Sequence, residues 1–201
     1  TIASSLTIAE HLLPRWLVTL REQRSLRGQT TTVEMVAANS DSVIEHVRAR
    51  TALLGFIESP IIPEDLQSRR VASDELILVV HPEYPWARLE QGVSAAQIAR
   101  TALMTREPGS GTRLALEEAL QDLPVPQTLS SASIELPSNA AIKASVAAGS
   151  GPAVLSVLAV ADDLALGRLA RVRITDLSIV RPLTAVWSRG VILPAAAIEL
   201  L

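Results

Sequence analysis

Short apolar runs separated by polar corners set the rhythm of the chain. Residues 1–4 read as a strand, and Ile8, Leu12, Leu13, Trp16, Leu17 and Leu20 then recur at helical spacing as one broad apolar stripe. Thr7-Ile8-Ala9-Glu10 has the spacing of a capping box and predicts the helix start. Pro14 lies inside the stripe, removes a hydrogen bond and predicts a bend or a split near residues 9–12. Residues 30–37, rich in β-branched side chains, predict a second strand. Asn39-Ser40-Asp41-Ser42 then introduces a helix carrying Val43, Ile44 and Val47. Residues 51–57 predict a third strand, stopped by Glu58-Ser59-Pro60. Alternation of this kind implies a parallel sheet covered by helices, with ligand sites outside the strand C-termini. Ser5, Thr7, Asn39, Ser40 and Glu58 all fall at that edge.

The second half repeats the rhythm. Residues 75–80 predict a strand stopped by His81-Pro82-Glu83-Tyr84-Pro85, and residues 94–99 a short helix. Residues 102–105 predict a buried strand that runs into Arg106-Glu107-Pro108-Gly109-Ser110-Gly111-Thr112-Arg113 and then a helix to about Gln121. A strand at 133–136 leads to Ser138-Asn139, which caps an Ala-rich helix over 140–148 with Gly149 as its stop. A strand weakened by Pro152 follows at 151–155, then a helix over 157–166, strands at 169–174 and 181–187, and a terminal helix opened by Pro194.

The Gly109 to Thr112 loop carries the clearest chemistry. At a helix N-terminus the first backbone N–H groups lack intrahelical partners, two glycines let a ligand approach the main chain, and Ser110 and Thr112 add hydroxyls. The alternative is a loop that only caps its own helix. A Walker A loop needs a Lys where Thr112 stands, and the dinucleotide fingerprint a small residue where Leu114 stands, so nucleoside triphosphates and dinucleotides are disfavoured. Four polar corners, at Ser5 and Thr7, Asn39 and Ser40, Ser110 and Thr112, and Ser138 and Asn139, each follow a strand and open a helix. Together they suit one small anion, each helix end contributing about 0.3–1 kcal/mol.

Composition narrows the classes. The chain of 201 residues is 48% hydrophobic, enough for a sizeable core, and no apolar run approaches the length of a membrane span. The absence of cysteine excludes disulfides and thiolate chemistry and fits a reducing compartment, the cytoplasm. A net charge of -3 argues against this segment gripping a phosphate backbone. His11, His46 and His81 have no metal-ligand spacing, and no Gly-x-Ser-x-Gly elbow occurs. Glu117-Glu118 and Asp162-Asp163 read as solvated helix faces. No catalytic set, metal site or cofactor site assembles.

The residues resemble a family, the effector-binding region of LysR-type transcriptional regulators, in the branch that includes regulators of carbon fixation and sulfur metabolism. The resemblance covers nearly the whole chain. It is carried by residues 2–14, by Asp74-Glu75-Leu76-Ile77-Leu78-Val79-Val80-His81-Pro82 with Tyr84-Pro85-Trp86-Ala87, by Arg106 to Arg113, and by Ala141-Ile142-Lys143, Val146-Ala147-Ala148-Gly149 and Leu155-Ser156. It implies an α/β fold of the type II periplasmic-binding-protein class: two Rossmann-like lobes joined by two crossing strands, lobe one at 1–73 plus 179–201 and lobe two at 74–178. It implies a small anionic or polar effector held between them by Ser5, Thr7, Asn39, Ser40, Gly109, Ser110, Gly111, Thr112, Ser138 and Asn139. Arg106 and Arg113 either reach that ligand or face solvent. The family also implies a homodimer or homotetramer in the cytoplasm, and promoter DNA bound only through a winged helix-turn-helix expected before residue 1. An extracytoplasmic solute-binding protein of the same fold is the alternative; an enzyme is not expected.

Overall fold

A computed structural model describes residues 1–201. The chain forms two compact units, Thr1–Ser73 with Pro182–Leu201, and Asp74–Arg181. The return to the first unit thus falls after Arg181, whereas the sequence reading put it at 179.

In the first unit β1 (Ile2–Ser5) pairs in parallel with β2 (Met35–Ala38) and with β3 (Leu54–Ile57). β9 (Ile179–Ser188) adds antiparallel, Phe56 opposite Ala185. β1 and β3 are buried on both faces, so their alternation sorts residues between two cores, while β2 at the sheet edge is largely exposed. Ile2, Leu54 and Phe56 pack with Ile8, Leu13 and Leu20, whereas Ala3 and Ile57 pack with Val43, Ile44 and Val47 of α3 (Ser40–Arg48). Pro14 splits the first helical stripe as predicted, into α1 (Leu6–His11) and α2 (Leu13–Leu26), with Pro14 in the first turn of α2, where its missing N–H costs nothing. The predicted capping box does not form. Ser5 is the N-cap residue and no side chain of Thr7-Ile8-Ala9-Glu10 caps α1. The second strand is also shorter than predicted: residues 30–34 are not part of it, and of their β-branched side chains only Val33 is half-buried against the core.

In the second unit β4 (Leu66–Val80) continues from the first and pairs antiparallel with β7 (Ala153–Ser156) and β8 (Ala170–Val172). β5 (Met104–Arg106) lies parallel to β7 and to β6 (Ile134–Leu136). Leu76, Leu78 and Val80 face one core with Ile98, Leu116 and Leu120, and Ile77 and Val79 face the other with Ile142, Val146 and Val160. Four helices supply those side chains: α4 (Ala95–Arg100), α5 (Gly111–Gln121), α6 (Asn139–Ala147) and α7 (Val157–Ala165). A 3-10 turn at Pro85–Arg88 and a short α8 (Ala195–Ile198), with Pro194 just outside it as N-cap, complete the chain. Asp163 departs from the expected solvated face. It is 9% exposed and its carboxylate takes Lys143 Nζ at 2.9 Å and Arg168 Nε at 2.7 Å.

Candidate functional site

Parallel pairing places the C-terminal ends of β1, β2 and β3 at one edge of the first unit, and each end delivers a polar residue there. Glu58, just past β3 and 2% exposed, dominates this corner. Its Oε1 accepts from the backbone N–H of Thr7 at 2.8 Å and of Ile8 at 3.3 Å, and its Oε2 from Thr7 Oγ1 at 2.9 Å. A carboxylate from the chain itself therefore satisfies the first amides of α1, the role the sequence reading gave to a local capping box. Ser40 Oγ accepts from the Glu58 N–H at 3.1 Å, and Asn39 Oδ1 accepts from the Ser42 N–H at 2.9 Å as the N-cap of α3. Ser5 differs from all of these. It is 2% exposed and its Oγ has no hydrogen-bond partner. Thr184 Oγ1, on β9, is likewise buried and unpartnered.

The edge of the second unit is built the same way. β5 and β6 run parallel with Arg106 opposite Leu136, so the loops that follow them are neighbours. After β5 the chain turns through Gly109, whose φ of +84 suits glycine alone without strain, and Ser110 becomes the N-cap of α5, its Oγ accepting from the Thr112 N–H at 3.3 Å. The helix begins earlier than predicted. Gly111 and Thr112 are its first two residues, both buried, so the loop is short and the helix end presents Gly111, Thr112 and Arg113 directly. Ser138 caps α6, its Oγ accepting from the Ala141 N–H at 3.1 Å, and Asn139 is buried at the first helical position.

Both arginines of the loop are now placed. Arg106, 3% exposed, grips Glu107 through Nε at 2.8 Å and Nη2 at 2.9 Å, while its Nη1 donates to Asn139 Oδ1 at 3.0 Å. It does not face solvent; it ties the loop after β5 to the start of α6. Arg113 bonds Glu117 at 2.9 Å and Glu135 at 2.6 Å, and these carboxylates hold its guanidinium charged to higher pH than usual, Glu117 more than Glu135, against the opposing effect of burial.

A group that the sequence reading left unassigned stands behind the helix end. Arg181 is wholly buried, and its Nε and Nη2 donate to Asp74 Oδ2 at 2.9 and 2.7 Å. Ser156 Oγ donates to Asp74 Oδ1 at 2.8 Å, and Arg181 Nη1 donates to Thr112 Oγ1 at 2.9 Å. The only sequence signal for this cluster is one charged residue at the mouth of each of two apolar strands. A cavity of about 270 Å³ in the same unit, lined by Leu76, Leu78, Val172, Ile174 and Ile179 among others, includes none of the strand-end residues.

The structure thus brings Ser5, Thr7, Asn39 and Ser40 to one edge of the first unit around Glu58, and Gly109, Ser110, Gly111, Thr112, Ser138 and Asn139 to one edge of the second around Arg106. Asn39, Ser110 and Ser138 cap their own helices, Ser40 takes the Glu58 N–H, and Thr7, Thr112 and Asn139 bond other side chains, whereas Ser5 Oγ has no partner. No three His, Asp or Glu side chains converge as a metal site, and no helix is long and apolar enough to cross a membrane.

Three likenesses bear on identity. An HTH-type transcriptional regulator of Mycobacterium tuberculosis, Rv2282c, is 47% identical over 200 residues, which is 98% of this chain and 64% of that protein. The HTH-type regulator CbbR of Xanthobacter flavus is 27% identical over 188 residues, 94% of this chain and 55% of its own length. The chain therefore spans about 64% or less of these two relatives. The regulatory domain of Synechocystis CcmR, solved in complex with 2-PG, superposes with a TM-score of 0.81 at 23% identity over 98% of this chain and 90% of that one, which gives the type II periplasmic-binding-protein-like fold. The LysR substrate binding domain model matches residues 1–201: the chain belongs to the LysR substrate-binding domain family.

Proposed function

We propose that this domain is the ligand-sensing part of a cytoplasmic, homo-oligomeric DNA-binding transcription regulator, and that it binds a small anionic or polar metabolite through its polar strand-end corners. Promoter DNA would be held by a separate helix-turn-helix domain of the whole protein. One observation carries the ligand part: the buried start of the eleven-residue α5, where the Ser110 and Thr112 hydroxyls lie together with the Gly111 N–H. A ligand that binds one arrangement of the oligomer more tightly than another shifts the population between them, which is how such a domain would alter promoter activity.

The test is a thermal-melt screen of the whole chain against small organic and inorganic anions and central-carbon and sulfur metabolites. A ligand of the proposed site raises Tm for the wild type. Ser110→Ala combined with Ser5→Ala lowers that rise. An undiminished rise in the double variant places the ligand elsewhere. Light scattering that shows only monomer at high concentration would count against the oligomer.

A further inference from the structure

We propose that Arg181 is a positioning residue that commits the Thr112 hydroxyl to donation, so that the start of α5 accepts only ligands presenting an oxygen acceptor: a carboxylate, a sulfate or a phosphate. The inference rests on the site proposed above. A hydroxyl has one proton to give and lone pairs that accept. Arg181 Nη1 donates to Thr112 Oγ1 at 2.9 Å, which points the Thr112 proton away from the guanidinium. Thr112 is 3% exposed, and its N–H is already spent on Ser110 Oγ. The hydroxyl proton therefore joins the N–H groups of Gly111 and Arg113 at the start of α5 as a donor. A ligand N–H meeting this end would find donors facing donors.

The guanidinium is itself fixed. Two of its nitrogens bond Asp74 Oδ2, and Asp74 is held through its other oxygen by Ser156 Oγ, which in turn caps α7 by accepting from the Leu158 N–H at 3.1 Å. Four residues far apart in sequence thus set the direction of one proton. A buried Asp–Arg pair is a poor stabiliser compared with apolar side chains of the same volume, but it specifies geometry. Because Asp74 offsets the charge of Arg181, the pair exerts little long-range pull on an anion. At the start of α5 its influence passes through the hydrogen bond to Thr112 Oγ1.

The experiment uses inorganic sulfate as the probe, titrated into the whole chain while the amide resonances of Gly111, Thr112 and Arg113 are followed by NMR. Thr112→Val is expected to weaken sulfate about ten-fold, the effect of losing a hydrogen bond to a charged group. Thr112→Ser retains the affinity. Arg181→Lys, which keeps the charge but cannot fork to Asp74 and Thr112 together, weakens sulfate by about five-fold. Because Arg181 acts through the hydroxyl, Arg181→Lys with Thr112→Val loses no more than Thr112→Val alone. Losses that multiply in the double variant, or wild-type affinity in Arg181→Lys, overturn the inference and leave the site standing. Unmoved resonances in the wild type overturn the site as well. If Arg181→Lys does not fold, Ser156→Ala loosens Asp74 without touching either partner and enters the same cycle with the same two outcomes.

Discussion

Ser5 and Thr7 are two residues apart and equally buried, yet they should respond to mutation in opposite ways. Ser5 Oγ has no partner, so Ser5→Ala removes a desolvated hydroxyl and leaves the ligand-free protein as stable or slightly more stable. Thr7→Val removes a hydroxyl donor to the buried Glu58 carboxylate and should cost about 1–2 kcal/mol. Urea unfolding of the two variants measures this directly; equal destabilisation would contradict it. Asp163 gives a pH-dependent case. Burial raises its pKa, but the hydrogen bonds from Lys143 and then Arg168 outweigh burial and hold it below the ordinary carboxylate value. A carboxylate lowered on folding stabilises above its unfolded pKa of about 3.9 and loses that contribution as pH falls through its folded value. Asp163→Asn should therefore be about 1–2 kcal/mol less stable than wild type at neutral pH, with the gap closing in acid below about pH 4. Melting curves across that range check it. The sequence showed Asp163 only as one of two adjacent acids, because its partners lie twenty residues before it on α6 and just past the end of α7.

At the scale of elements, packing shows where sequence patterns carry information and where they do not. α3 was legible because Val43, Ile44 and Val47 repeat at helical spacing behind an Asn39 cap. Its close approach to β3 was not legible. That approach depends on Gly55, where an added Cβ would stand 2.7 Å from Val47 Cγ2 and 2.8 Å from Val43 Cγ1. Both neighbours are β-branched and stiff, so Gly55→Ala should destabilise by about 1–3 kcal/mol, read as a lower urea midpoint at unchanged m-value. The first nine residues of β4 escaped the sequence reading for the opposite reason. Between Leu66 and Asp74 the side chains are largely exposed, and a strand that buries little leaves no alternation to find. The box at Thr7 to Glu10 misled because spacing alone cannot show that a carboxylate fifty-one residues away reaches the same amides first.

For the molecule as a whole, the alternation of strands and helices was enough to give the parallel strands of each unit and their covering helices, but alternation alone did not show the antiparallel pairing of β9 with β3 and of β4 with β7 and β8; the polar corners fall at the C-terminal ends of their strands. What the sequence withheld were the long-range pairs: Glu58 with Thr7, Arg106 with Asn139, and Arg181 with Asp74 across 107 positions. These connect residues whose local surroundings are unremarkable, and nothing periodic marks them.

The division at Arg181 also has a bearing on how the protein is made. The second unit is one uninterrupted stretch, Asp74–Arg181, whereas the first needs Pro182–Leu201 to supply the β9 residues that pair with β3 and the Leu183, Leu193 and Leu200 side chains of its core. On the ribosome the first unit therefore waits for residues 182–201, while the second can fold as soon as it emerges. A chain ended after Arg181 should keep protease-resistant fragments from the second unit and lose those from the first. Limited proteolysis followed by mass spectrometry will show it, and equal resistance of both units would mean that β9 is dispensable.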